Sequence, residues 1–411
     1  MKYIIILGDG MADEPVPALG GKTPLQAAST PCMDAMARAG RCGYLRTIPQ
    51  GFSPGSEIAN MSLLGYDVHT QFEGRGSLEA ASMGIEIPAG FMAARCNLIC
   101  EQDGRIKNHS AGHITTGEAT ELMLFLQREM GSEEVRFFPG VSYRHLLLVK
   151  GGDKHLDCTP PHDVVGTECD KVMVKALRHE ARSTADLLNH LILRSRELLP
   201  GHPVNIKRKA KGKDPANSIW PWSPGYRPAM KPLSALYPIR SGSVISAVDL
   251  IKGIGVYAGL DPVDVPGATG LHTTNYEGKA RAALDELRRK DLVFLHVEAS
   301  DEAGHEGDVD LKVRTIEYLE NRLVRLIYEE TANWDDQVTI AVLPDHPTFC
   351  RTRTHAANPV PFLIYRTGKK EQKNSGDFEA DAVQVFDEFS VSGGTYGVLE
   401  GDGFIRAFFN Q

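Results

Sequence analysis

Leu292-Val293-Phe294-Leu295-His296-Val297-Glu298-Ala299-Ser300-Asp301-Glu302-Ala303-Gly304-His305 joins a short apolar run to an acid and an imidazole placed four residues apart. A run of this length suits a strand buried on both faces of a mostly parallel sheet. Directly after it, Asp301 and His305 fall on one face of a helical turn, so both can reach a single ion. Two other runs are built alike: Tyr3 to Leu7 leads to Asp9, and Val338 to Leu343 leads to Asp345 and His346. Helical patterns lie between them, over Thr23 to Ala39, Tyr276 to Arg289 and Val309 to Tyr328. This alternation predicts an α/β fold, a mostly parallel sheet flanked by helices on both sides. Such sheets bind ligands beyond the carboxyl ends of their strands, where all three runs deliver an acid.

Taken singly, the remaining candidates have plainer readings. A lone His355 reads as a hydrogen-bonded loop residue, and the neighbours Asp345 and His346 share a metal only on an irregular turn, which Pro347 favours. Together, Asp9, Ser56, Asp301, His305, Asp345, His346 and His355 read as the ligands of a two-metal phosphoryl-transfer site. Ser56 opens a short helix that Gly65 ends, and its plain reading is an N-cap. A metal ion together with a helix N-terminus would instead make its proton labile and turn it into a nucleophile.

A chain of 411 residues exceeds one ordinary core and points to two domains. The candidate ligands lie before and after the block 71–244, which reads as an inserted α+β domain able to close as a lid over a core of 1–70 and 245–411. Within the block, a hairpin is expected around Asn97 to Lys107, a strand over Tyr143 to Val149, a helix over Ala185 to Leu198, and a Pro-rich stretch from Trp220 to Pro238. The net charge of −8 argues against a nucleic-acid partner. The basic cluster Lys207, Arg208, Lys209, Lys211 and Lys213 reads as a solvated loop, with a phosphate-contacting loop as the alternative. Seven scattered cysteines fit a reducing compartment, and Cys96 and Cys100 read as small buried hydrophobes. No run approaches the ~20 apolar residues of a membrane helix. The expectation is a soluble, cytoplasmic protein without a membrane partner, of undetermined oligomeric state.

The segments Gly8-Asp9-Gly10, Pro54-Gly55-Ser56-Glu57-Ile58-Ala59-Asn60, Asp301-Glu302-Ala303-Gly304-His305 and Asp345-His346 with His355 resemble those of archaeal-type, cofactor-independent phosphoglycerate mutases of the alkaline phosphatase superfamily. Pro266-Gly267-Ala268-Thr269-Gly270 and Tyr276-Glu277-Gly278-Lys279-Ala280 match as well, so the likeness spans most of the chain. It implies an alkaline-phosphatase-like core in which Asp9, Ser56, Asp345 and His346 hold one divalent ion and Asp301, His305 and His355 the other. Mn is the first expectation, with Zn, Mg or Co as alternatives. It further implies interconversion of 3- and 2-phosphoglycerate through a phosphoserine at Ser56, with neither nucleotide nor 2,3-bisphosphoglycerate as cofactor. The lack of a P-loop is consistent with that.

The resemblance places Lys279 at a phosphate-contacting lysine, and Arg144, His109 and Arg208 are further candidates for a small phosphorylated metabolite. This chain departs from the family at His109-Ser110-Ala111-Gly112-His113, where arginines are typical, and at Ala216 to Trp222, where an Arg-Gly pair is typical. Those departures resemble a divergent branch suspected of phosphorylating homoserine, which stands as the alternative activity. A phosphatase or phosphodiesterase, and a non-enzymatic metal-binding protein, are the remaining alternatives.

Overall fold

The computed structural model describes residues 1–367 and 379–410. Contacts divide the chain into two compact units, Met1–Phe72 with Met230–Gln411, and Glu73–Ala229. The second is narrower than the expected 71–244. The chain returns earlier because the segment after Met230 packs within the first unit: Tyr66 Oη donates to Lys231 O at 2.7 Å, and Tyr237 stacks on Phe409 with ring centroids 5.0 Å apart.

The first unit is built on an eight-stranded mixed sheet. Its strands are β1 (Lys2–Gly8), β2 (Arg41–Leu45), β3 (Gly242–Ile245), β4 (Asp261–Val263), β5 (Leu292–Val297), β6 (Val338–Leu343), β7 (Val360–Arg366) and β8 (Val398–Leu399), in the order β4-β3-β5-β1-β6-β7-β2-β8. The run from β4 to β6 is parallel, and β7 is antiparallel to both neighbours. The three acid-bearing strands are therefore consecutive neighbours at the centre, and every residue of β5 and β6 is buried. That burial explains why these strands read as apolar runs without alternation.

Two of the expected helices keep their bounds closely. Tyr276–Arg289 starts at Asn275, whose side chain accepts from Gly278 N, and it ends on Arg288 and Arg289, whose charges suit the C-terminal dipole. The Val309 run continues through Leu319, a π turn at Glu320–Val324 and Arg325–Thr331. The expected helix from Thr23 to Ala39 is instead two helices, Pro24–Ala27 and Pro31–Ala39. Ala28 turns to extended backbone, and Pro31, which has no N–H to continue a helix, opens the next one.

The Glu73–Ala229 unit holds a five-stranded antiparallel sheet. Phe91–Gln102 is its spine, paired with Arg144–Lys150, with Arg105–Asn108 and with Ser218–Gly225, while Val135–Phe138 pairs Arg144–Lys150. Helices Thr116–Met130 and Arg182–Leu198 contribute Leu122, Leu126, Leu188 and Ile192 to a core shared with Leu98 and Leu147. Within the Pro-rich stretch, Pro221 and Pro224 lie in a strand. Among the described residues Ser218–Gly225 pairs only with Phe91–Gln102, an edge position of the kind at which sheets accommodate proline.

Of the basic cluster, Lys207, Arg208 and Lys209 form the last turn of helix Pro203–Ala210, while Lys211 and Lys213 follow it outside the helix; the four lysines are exposed and Arg208 is buried. All seven cysteines are free, and burial pushes the thiols of Cys96 and Cys100 up to about 12 and about 11. Among the described residues no helix is long and apolar enough to cross a membrane.

Candidate active site

Parallel pairing is what gathers the acids. Asp9 follows β1, and its N–H donates to Val297 O at the end of β5 at 2.9 Å. Ser300 Oγ donates to Asp9 O at 2.6 Å, so the turn after β1 is pinned to the helix that carries Asp301. That helix, Ala299–Glu306, sets His305 Nε2 3.2 Å from Asp301 Oδ2 and ends at Gly307 in the left-handed conformation. After β6, Asp345 Oδ1 accepts from Gly10 N at 3.2 Å and from His346 N at 2.9 Å. Asp345 and His346 are fully buried.

His355 arrives through a two-residue ladder that pairs Thr348 with His355. Its Nε2 lies 2.9 Å from His305 Nε2 and 3.4 Å from Asp301 Oδ1. Thr348 Oγ1 donates to Asp301 Oδ1 and lies 3.3 Å from His346 Nδ1. Ser56 is the first residue of helix Ser56–Leu63, with Gly55 at the N-cap and no side-chain cap. Its Oγ lies 3.2 Å from His346 Nε2. The N-cap reading therefore does not describe this serine, whose hydroxyl faces the histidine instead.

All seven expected residues thus come together in the first unit. Two sets of donor atoms lie within 4.8 Å of one another, Asp9 with Asp345 and His346, and Asp301 with His346 and His355. His346 belongs to both sets, so it lies between the two groupings implied by the resemblance. Asn60, one turn beyond Ser56, donates to Ser56 O at 2.8 Å and to Asp345 Oδ2 at 2.9 Å. Asn60, Thr348 and His296 are contacts that sequence reasoning passed over. Only the Asn60 spacing, one helical turn from Ser56, carried a signal.

The electrostatics suit a divalent cation. Burial, then the charges of Asp345, Asp301 and Glu298, raise Asp9 well above the usual carboxylate range. Burial would raise Asp301 too, but hydrogen bonds from His305 and His355 hold it far below. His305 rises to about 9, chiefly through its bond to Asp301. Burial lowers His346 and takes His296 down to about 3. Glu298, buried and beside Glu302 and Asp301, is raised to about 7. The crowded carboxylates of Asp9, Asp301 and Asp345, with His346 and His296 held toward their neutral forms, leave His305 as the one imidazole driven toward its charged form, by its bond to Asp301. Asp9 Oδ1 is buried with no hydrogen-bond partner among the described residues. An orphaned carboxylate oxygen inside an oxygen and nitrogen donor set fits a bound metal of the Mn or Zn type.

The four expected substrate contacts are placed less uniformly. Lys279 is fully buried in the first unit, donates to His296 O at 3.0 Å, and is lowered to about 8 by burial. The other three belong to Glu73–Ala229. Arg208 is corrected: 1 % exposed, it gives Nε to Asp214 O, one terminal nitrogen to Glu118 and the other to Ala111 O and Gly112 O. All of these bonds lie within its own unit.

His109 packs edge-on to Tyr143 at 5.7 Å and lies 6.1 Å from His162, which itself meets Trp222 at 5.5 Å. Arg95 lies 4.3 Å above the Trp222 ring and pairs with Glu79 at 2.9 Å. Arg144, in the strand beside Arg95, has a buried Nε with no hydrogen-bond partner among the described residues. This line of rings and cations, including Arg95, His162 and Trp222, was not evident from sequence because its members come from separate strands and loops.

The family model for 2,3-bisphosphoglycerate-independent phosphoglycerate mutase matches residues 37–205. The chain is 49% identical over 401 residues to the 2,3-bisphosphoglycerate-independent phosphoglycerate mutase of Methanosarcina mazei, covering 97% of both chains. It is 45% identical over 406 residues to that of Methanothrix thermoacetophila, covering 99% of both. The solved cofactor-independent phosphoglycerate mutase of Thermoplasma acidophilum is similar with a TM-score of 0.68 at 28% identity, covering 98% of both chains. With identity of this level running end to end, the chain belongs to the family of 2,3-bisphosphoglycerate-independent phosphoglycerate mutases.

Proposed function

We propose that the chain interconverts 3- and 2-phosphoglycerate by passing the phosphoryl group through Ser56. The observation that carries this reading is the Ser56 hydroxyl, free of any capping bond and 3.2 Å from His346 Nε2. Asp9, Ser56, Asp345 and His346 would hold one divalent ion, and Asp301, His305 and His355 a second, with Mn the first choice. When bound, such ions lower the cost of negative charge on the phosphoryl oxygens and on the serine oxygen.

Ser56 Oγ attacks the phosphorus in line, the bond to the glycerate oxygen breaks, and the serine proton ends on that oxygen. The products are phosphoserine and glycerate. The other glycerate hydroxyl then attacks the phosphoserine, and its proton returns to Ser56, so no donor or acceptor is consumed. The helix that begins at Ser56 turns the positive end of its dipole toward the phosphoryl oxygens. Asn60 keeps the serine backbone and Asp345 in fixed relation through both transfers. Recognition of the substrate's anionic groups is assigned to Lys279, His109 and Arg144, with Arg95 and His162 added. Water must be kept from the phosphoserine, which it would divert to hydrolysis.

The test is an assay of 3-phosphoglycerate interconversion with Mn2+ and without 2,3-bisphosphoglycerate, joined to mass spectrometry of rapidly quenched protein. The expected result is equilibration of the two isomers and phosphate on Ser56. Release of inorganic phosphate alone, or formation of homoserine phosphate alone when homoserine is added to the assay, overturns the mutase reading.

A further inference from the structure

Resting on the metal-site reading above, we propose that His296, held in place by Ser246, is a positioning residue that dedicates one oxygen of Asp9 to the cation. His296 is fully buried in β5, where it is paired with Leu7 of β1, two residues before Asp9. Its Nε2 lies 3.0 Å from Asp9 Oδ2, and its Nδ1 lies 3.2 Å from Ser246 Oγ. Ser246 Oγ already accepts from Val248 N at 3.0 Å. A carboxylate oxygen can only accept, so the ring proton lies on Nε2, and Nδ1 of the neutral ring is the acceptor for the Ser246 hydroxyl. The Nε2 proton is donated to Asp9 Oδ2.

The two oxygens of Asp9 are thereby made unequal. Oδ2 is engaged by His296, while Oδ1 has no hydrogen-bond partner among the described residues and faces His346 Nε2 at 3.7 Å. The strand further fixes the ring, since Lys279 Nζ donates to His296 O. A carboxylate with one bonded and one open oxygen has its rotation set before the ion arrives. Hydrogen-bonding partners of metal ligands act in this way. Simple satisfaction of a buried histidine would not require the free oxygen to face the other donors.

The experiment is a calorimetric titration of Mn2+ into metal-stripped, full-length protein, with the melting temperature of the stripped form as a folding control. His296→Phe is expected to weaken one of the two Mn2+ sites by about tenfold to a hundredfold. His296→Gln, whose amide keeps a donor toward Asp9, recovers most of that affinity, and Ser246→Ala weakens the same site by a smaller factor. Folded His296→Phe with wild-type affinity, or His296→Gln no better than His296→Phe, overturns the proposal. If His296→Phe does not fold, Ser246→Ala decides alone, and unchanged affinity overturns it. Wild-type protein that takes up no Mn2+ overturns the metal-site reading itself, an outcome distinct from the others.

Discussion

Ser56 Oγ and His346 Nε2 lie 3.2 Å apart across 290 residues of chain. The serine contributes no cap to its helix, so its hydroxyl carries little of the fold's stability. Ser56→Ala is expected to cost less than the ~1 kcal/mol of a lost cap while lowering kcat by about a thousandfold or more. Thermal melting and steady-state turnover on one preparation check both halves, and retained turnover would remove Ser56 from the reaction.

Removal of metal should be visible without any substrate. Asp9, Asp301 and Asp345 meet in a buried space, and Asp9 is driven above the usual carboxylate range by burial and then by its acidic neighbours. Chelation should therefore lower the melting temperature. Readdition of Mn2+ at about a hundred times its Kd should stabilise the protein by about 2.7 kcal/mol per site. A melting temperature indifferent to both chelator and Mn2+ would count against a cation at this position.

Lys312 and Asp13 form an ion pair at 2.8 Å with both side chains at 0 % exposure, and Lys312 Nζ also donates to Ala12 O and Thr348 O. Lys312→Met strands a buried carboxylate and should cost about 3–5 kcal/mol in denaturant unfolding. The double change Lys312→Met with Asp13→Leu should recover much of that loss. Equal losses in single and double variants would mean that the pair's other bonds matter more than its charges.

His145 gives a pH dependence whose sign is fixed. It is fully buried, and burial lowers it from 6.5 to about 3. The unfolded chain takes up this proton below pH 6.5 and the folded chain does not. Stability from this group is therefore complete above pH 6.5 and is lost as pH falls toward about 3. His145→Gln should flatten the acid side of the stability profile by about 1.4 kcal/mol per pH unit within that window. Identical acid slopes for wild type and variant would contradict it.

The centre of the fold was legible because chemistry and secondary structure coincide there. Each of the runs before Asp9, Asp301 and Asp345 is predominantly apolar and without alternation, so strand and burial could be read from one pattern. The gathering of all seven residues followed from parallel pairing, while their individual roles are part of the proposal. What escaped was set by long-range packing. Thr348 and Asn60 are ordinary polar residues until the fold places them on Asp301 and Asp345. Arg208 looked like a solvated cation because charged residues are seldom buried unless paired, and its partners Glu118 and Asp214 lie outside its own helix. Pro31 was read as part of a longer helix because its flanks keep a helical pattern, although its own ring ends one helix and begins another.

The pairing of β1 with β5 and β6 sets Leu7 opposite both His296 and Leu343. Strands apolar on both faces tell one alignment from another poorly, since a shifted ladder buries much the same surface. A slip of one residue would move an acid about 3.3 Å along its strand and turn it to the opposite face. Gly10 would then lose Asp345, and Asp9 would lose His296. Those few polar contacts serve the sheet as an alignment key, so a chain with its centre correctly threaded has already built its acidic cluster.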